Sequence, residues 1–235
     1  MAELVVALDV DREEEALAVA QLALEEGVTH VKVGMQLFCN AGPSIVQRLT
    51  AQGAKVVVDL KLHDIPNTMA MAARALAELG ASLITVHASA GHKALAAVSE
   101  VVKDSMVKVL AVTVLTSLDN RALSTELGVQ EDIAVHALRL ASMARDAGAH
   151  GAVCSAGEVE VLKRTLGEQF LTLVPGVRPE WAAGPGDQAR VATPAQARCK
   201  GADYVVVGRP ILSASDRRRA IKLLLAELCA DRPGH

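Results

Sequence analysis

Short apolar runs recur along the chain, at Leu4 to Asp9, His30 to Gly34, Lys55 to Lys61, Leu83 to His87, Val107 to Leu115, Gly151 to Ser155, Phe170 to Pro175 and Tyr204 to Gly208. Each has strand length, and most are apolar at successive positions, the pattern of a strand buried on both faces. Between them lie stretches rich in Ala, Leu and Glu with apolar residues at helical spacing, among them Glu13 to Glu26, Thr68 to Glu78, Ile133 to Ala147 and Arg219 to Leu228. Such strands, joined by helical crossovers, belong to a parallel sheet covered by helices. Eight strand-helix units in 235 residues predict an α/β chain folded as a (β/α)8 TIM barrel, a fold whose usual size is about 250 residues. An open doubly wound sheet is the rival. It normally carries a glycine-rich turn after its first strand, and Asp9-Val10-Asp11-Arg12 is not one.

No Gly/Ser/Pro-rich linker or low-complexity stretch divides the chain, so one domain over residues 1–235 is expected, with a hydrophobic content of 51% to fill its core. A net charge of −3 and an aromatic content of 2% provide neither a basic face nor stacking platforms for nucleic acid. No apolar run reaches the roughly 18 residues of a membrane span. The first strand, with an acidic helix behind it, is not a signal peptide. Cys39, Cys154, Cys199 and Cys229 form no C-x-x-C or Cys/His ligand pattern and read as core thiols in a reducing compartment. A soluble cytoplasmic protein with no nucleic-acid or membrane partner is expected.

The densest chemistry lies in Asp59-Leu60-Lys61-Leu62-His63-Asp64-Ile65-Pro66-Asn67-Thr68. The β-branched run before it predicts that the chain is still extended at Asp59 and Lys61, which then project side by side while Leu60 and Leu62 face apolar packing. Asp64 lies just beyond, Pro66 stops the strand, and Asn67 or Thr68 is placed to cap a helix over Met69 to Leu79. Surface ion pairs contribute only about 0–1 kcal/mol. Stability alone therefore gives little reason to gather two carboxylates and an ammonium here, and a functional site is the better reading.

Other polar residues fall at the ends of predicted strands, where a barrel builds its site: Asp9, Lys32, His87, Thr116, Arg178 and Arg209. Of these, His87 reads as a satisfied histidine beside the core. Val174-Pro175-Gly176-Val177-Arg178-Pro179 follows the seventh strand and Val207-Gly208-Arg209-Pro210 the eighth. Loops at those two positions often hold a phosphate, with backbone N–H groups that glycine leaves accessible. Gly176, Gly208 and Arg209 suit that role, which makes a phosphate ester the expected substrate. The Gly/Pro-rich stretch from Glu180 to Gln188 reads as a mobile lid, with Trp181 the only tryptophan of the chain. Arg217-Arg218-Arg219 reads as the solvated opening of the last helix.

Through the Asp59 to Thr68 segment, and through Val112-Thr113-Val114-Leu115-Thr116-Ser117, Pro175-Gly176-Val177-Arg178-Pro179, Asp187-Gln188-Ala189-Arg190 and Gly208-Arg209-Pro210-Ile211, the chain resembles the orotidine 5′-monophosphate decarboxylase family along its whole length. The resemblance implies a cofactor-independent, metal-free decarboxylation of orotidine 5′-monophosphate to UMP. By it, Lys61 is the proton donor, with Asp59 beside it in an alternating network that Asp64 completes from the partner subunit of a homodimer. Asp9 and Lys32 would hold ribose hydroxyls, joined by Thr68 from the other chain. Thr116 would meet the pyrimidine, and Arg178, Gln188, Gly208 and Arg209 the phosphate end. Ala90 and Val174 depart from the family pattern, where glycine and threonine are usual. The enzyme alternative is a relative that shares Asp-x-Lys-x-x-Asp, a Mg²⁺-dependent sugar-phosphate decarboxylase or hexulose-phosphate synthase. Its metal would need extra carboxylates near the second and third strands, and Lys32 with Gly34-Met35-Gln36 supplies none. A non-catalytic nucleotide-binding barrel would be expected to lack Lys61 or one of the aspartates, and all are present.

Overall fold

Eight parallel strands close into a ring in sequence order: β1 (Glu3–Ala7), β2 (His30–Gly34), β3 (Lys55–Leu62), β4 (Ala81–His87), β5 (Lys108–Val112), β6 (Gly151–Val153), β7 (Leu171–Val174) and β8 (Tyr204–Val207), with β8 paired back to β1. This computed structural model describes residues 2–182 and 191–229. The barrel and its intervening helices agree with the sequence expectation, and β2 matches it at both ends. β5 is shorter than expected, because the chain leaves the ladder after Val112 although Val114 is still buried.

Two apolar cores follow from the period-two alternation of the strands. Val6, Val31, Val56, Val58, Val109 and Ala111 point outward and pack under the helices. Val5, Ala7, Val57, Leu83, Leu110, Val112, Val153, Leu173 and Val206 point inward and fill the ring. A barrel interior packed with branched side chains is a core, not a pore, so only its mouth is open for chemistry.

The helix after β3 runs from Pro66 to Glu78, with Ile65 at its N-cap and no side-chain cap. The expected cap at Asn67 or Thr68 is therefore corrected. Pro66 has φ preset for the first helical position and no N–H to satisfy, so the helix starts there unaided. The last helix, Arg217–Cys229, opens at the arginine run as expected, with Arg218 and Arg219 exposed. Two of these arginines also form ion pairs: Arg217 bridges Glu15 at 2.6 Å and Arg218 bridges Glu25 at 2.7 Å and also Glu26, tying the helix to Glu13–Glu25 and the residue after it. The cysteine reading also needs correction. Cys154 is buried, but Cys39, Cys199 and Cys229 are exposed. Among the described residues no helix is long and apolar enough to cross a membrane.

Three histidines give the fold a pH dependence. Burial is the main cause that lowers the pKa of each: His30, where attraction from Glu3 partly opposes it, His87, helped by His63 and Lys61, and His150, helped by Lys108. A histidine lowered on folding binds fewer protons in the native state, so stability rises with pH across the ordinary imidazole range near 6.5. The urea midpoint is expected to be higher at pH 8 than at pH 5.5. Equal midpoints would show that these three sites do not govern the slope.

Candidate active site

The inward-facing positions change character toward the C-terminal ends of the strands. Val5 and Ala7 lead in the same phase to Asp9, His30 to Lys32, Val57 to Asp59 and Leu83 to Thr85. One alternation thus lays an apolar floor and then places charged groups above it.

Those groups form a chain of alternating sign. Lys32 Nζ lies 3.0 Å from Asp9 Oδ1 and 3.7 Å from Asp59 Oδ2, and Lys61 Nζ donates to Asp59 Oδ1 at 2.9 Å. Lys32 is only 8% exposed, so this ammonium could not sit there without its two carboxylates. Gly34 leaves room for this pair, since a Cβ at that position would press on Lys32 Nζ at 3.0 Å and on Asp9 Oδ1 at 3.1 Å.

Asp59 feels opposing influences. Burial pushes its carboxyl up, but the charges of Lys32 and Lys61 and hydrogen bonds from Lys61 and Thr85 outweigh it and hold the group below the ordinary carboxylate value. Asp59 is therefore an anion at neutral pH, fixed between two cations.

The backbone beneath Lys61 is not regular strand. Between Val58 and Leu62 the β3/β4 register shifts: Val58 pairs with Ile84 and Leu62 with Val86, so Asp59, Leu60 and Lys61 stand opposite Thr85 alone. Lys61 takes φ of 50°, among the described residues the only positive φ outside glycine. A bulge of this kind re-aims side chains at the rim of a barrel, and a left-handed lysine stores strain that surrounding contacts must hold. The expected adjacency of Asp59 and Lys61 is met, but through a bulge and not through plain strand alternation. Leu60 and Leu62 pack against the outer core as expected.

A cavity of about 230 Å³ opens above this network. Asp9, Lys32, Asp59 and Lys61 line it, as do Thr116, Gly176, Arg178, Gly208 and Arg209. Val112, Val153, Leu173 and Val206 form its floor. Arg178 follows β7, which lies across the ring from β3, so cations on opposite sides of the barrel face one space. Gly176 has φ of 75°, a backbone that favours glycine. At Gly208 the reason is room, since a Cβ there would meet Ala7 Cβ at 3.2 Å and Asp9 Oδ2 at 3.4 Å. Arg178 and Arg209 also line a neighbouring cavity of about 540 Å³ with Trp181, whose ring N–H donates to Glu227 at 3.0 Å.

Not every predicted residue is brought to this cavity. Asp64 and Thr68 are exposed and outside its lining, and Asp64 accepts the Ile65 N–H at 2.6 Å. Gln188, the Asp187 to Arg190 motif and most of the expected lid fall at 183–190, outside the described residues. His87 stacks on His63 at 5.0 Å and its Nδ1 meets Ser89 Oγ at 2.7 Å, the satisfied role expected of it. Sequence reasoning missed Thr85 and the apolar floor. The available signal for Thr85 was a hydroxyl in the inward phase of β4, two residues after Leu83 and between Ile84 and Val86.

The model of the orotidine 5′-phosphate decarboxylase / HUMPS family matches residues 2–224. The chain belongs to this family. Proteins named orotidine 5′-phosphate decarboxylase from Saccharophagus degradans and Nitrosococcus oceani are each 44% identical to it, over 96% of this chain and over 94% and 97% of their own lengths respectively. The crystal structure of orotidine 5′-phosphate decarboxylase from Lactobacillus acidophilus superposes with a TM-score of 0.86 at 38% identity, covering 98% of this chain and 100% of that one. Family membership agrees with the resemblance read from the motifs, and the family's name spans both the decarboxylase and its sugar-phosphate alternative. The charge arrangement must discriminate between them.

Proposed function

We propose that this chain decarboxylates orotidine 5′-monophosphate to UMP in de novo pyrimidine biosynthesis, as a single barrel domain and without metal or cofactor. The observation that carries the reading is the alternating Asp9, Lys32, Asp59, Lys61 network at the mouth of the barrel. When the bond from C6 to the carboxylate breaks, CO₂ departs and the electron pair stays on C6 in the ring plane, where the π system cannot delocalise it. Stabilisation must come from outside the ring. Lys61 supplies positive charge at that point and then transfers a proton to C6, leaving UMP and a neutral amine that regains its proton from solvent. The cation positions beside Asp9 and Asp59 are occupied by Lys32 and Lys61, so the positive charge this reaction needs is already built from side chains. A divalent ion there would face two ammonium groups.

Asp9 and Lys32 hold the ribose hydroxyls in this reading, Thr116 meets the pyrimidine, and Arg178, Gln188, Gly208 and Arg209 take the phosphate. Asp64 of the partner subunit completes the network and Thr68 of the partner subunit reaches the same sugar, which makes the enzyme a homodimer. Supporting this, both side chains face solvent, and Ile65 beside them is 67% exposed. A cytoplasmic location is part of this reading.

Turnover of orotidine 5′-monophosphate, followed by its absorbance change, tests the proposal. Activity that survives exhaustive chelation is expected. Absence of turnover, or its loss on chelation, would refute it. Binding energy from the distant phosphate orients the ring and lowers the barrier. Arg209→Ala is therefore expected to lower kcat/KM by roughly 10- to 1000-fold, the range of one or two lost charge-assisted contacts, with little change in urea midpoint. An unchanged kcat/KM would remove Arg209 from the site.

A further inference from the structure

The β3 bulge leaves a backbone donor and a carboxylate facing a single side chain. Thr85, on β4, is 1% exposed, and its Oγ1 lies 2.9 Å from Asp59 Oδ1 and 2.9 Å from the Lys61 amide nitrogen. The direction of both hydrogen bonds is determined. An amide N–H can only donate, so the hydroxyl accepts from Lys61 and must give its own proton to Asp59, which as an anion can only accept. The hydroxyl has no alternative role at this position.

We propose that Thr85 is the positioning residue of this active site, its hydroxyl locking the bulged β3 backbone so that Lys61 and Asp59 present one fixed pair to the substrate. The inference rests on the decarboxylase reading and deepens it. Three observations converge on it. The register shift puts Asp59, Leu60 and Lys61 against Thr85 alone, so the bulge removes the ladder partner that the Lys61 N–H would otherwise have. A buried N–H without a partner is costly, and the hydroxyl satisfies it. Lys61 also holds φ of 50°, a conformation that persists only when neighbouring contacts over-determine it. Finally, Asp59 Oδ1 accepts from Thr85 and from Lys61 Nζ at the same 2.9 Å, so one oxygen is shared between the scaffold and the reacting ammonium. Thr85 itself lies outside the cavity lining and acts only through these two neighbours.

Thr85→Val keeps the shape and β-branching but removes the hydroxyl, whereas Thr85→Ser keeps the hydroxyl. In Thr85→Val, kcat is expected to fall roughly 10- to 100-fold, the order of effect of an ångström-scale misplacement of a reacting group, with KM changed less than about threefold. Thr85→Ser should recover most of the wild-type kcat. A carbon-13 NMR titration of the Asp59 carboxyl gives a second readout that does not depend on turnover. Its midpoint should rise in Thr85→Val and stay near wild type in Thr85→Ser. A folded Thr85→Val enzyme with wild-type kcat and an unmoved Asp59 titration would overturn the proposal. So would a Thr85→Ser variant as impaired as Thr85→Val. If Thr85→Val does not fold, Thr85→Ala, which leaves room for water at the lost hydroxyl, is judged by the same criteria. Failure of the wild-type protein to turn over orotidine 5′-monophosphate would instead defeat the functional reading, and the titration would still decide whether Thr85 holds Asp59.

Discussion

Lys61→Ala is expected to reduce decarboxylation by at least roughly a thousandfold while leaving the barrel folded. In the proposed mechanism two contributions disappear together: the positive charge beside C6, of the kind whose loss costs about a hundred- to a thousandfold, and the proton donor, of a kind that contributes about a hundred- to ten-thousandfold. They act at one atom, so the losses are not additive and the figure is a lower bound. Folding should survive because Lys61 sits at the rim with its side chain 28% exposed. Asp59, left behind, still faces Lys32 at 3.7 Å and accepts from Thr85 at 2.9 Å. Its carboxyl should move up toward the ordinary value, since one of the charges that lowers it is gone. Kinetics on purified protein, with circular dichroism to confirm the fold, decide the matter. Residual turnover within tenfold of wild type would mean that the proton reaches C6 from another group.

Asp59→Asn is the second large effect. The amide has nearly the same shape, so the main change is the loss of charge. Lys32 and Lys61 now lose the anion between them; the amide oxygen can still accept from Lys61, but the second oxygen, which faces Lys32 at 3.7 Å, becomes an NH2 donor. We expect kcat/KM to fall by about a hundred- to a thousandfold, the scale on which preorganised electrostatic groups are felt. The folding cost should be below the roughly 3–5 kcal/mol seen when a buried pair loses one member, because Lys32 keeps Asp9 at 3.0 Å. The pH dependence distinguishes charge from packing. A carboxyl lowered on folding adds stability that is present above its unfolded value, about 3.9, and is lost as pH falls through its folded value. The stability gap between wild type and Asp59→Asn should therefore be widest at neutral pH and close in acid below about pH 4. A gap that persists unchanged in acid would show that the variant disturbs packing and not charge balance.

Much of this was legible without coordinates, for reasons that differ by element. A strand repeats with period two, so β2 could be delimited at both ends from the alternation in His30-Val31-Lys32-Val33-Gly34 alone. Strand ends were less legible where the apolar run outlasts the ladder, as after Val112, because burial in a loop and burial in a strand select the same residues. The helix start at Pro66 was displaced in the reading because Asn67 and Thr68 are good caps in general. What decides is which backbone groups remain unsatisfied, and Pro66 has none.

The motifs were local and chemically dense, and they named the cavity residues Asp9, Lys32, Asp59, Lys61, Thr116, Gly176, Arg178, Gly208 and Arg209 before any distance was known. The exposure of Cys39, Cys199 and Cys229 and the ion pairs of Arg217 and Arg218 were not legible for the opposite reason. Burial and partners depend on residues remote in the chain, such as Glu15, Glu25 and Glu26.

By itself the sequence determined the alternation that makes eight buried strands, the inward phase that ends in charge, and the chemical types available at the barrel mouth. These are properties of residue spacing, and spacing survives projection onto one dimension. Only the tertiary structure decided that Thr85 braces the bulge under Lys61, that Lys32 is shared between Asp9 and Asp59, and that arginines after β7 and β8 face the same cavity as the β3 ammonium. Each of those depends on register between strands, and register is set by packing across the whole ring.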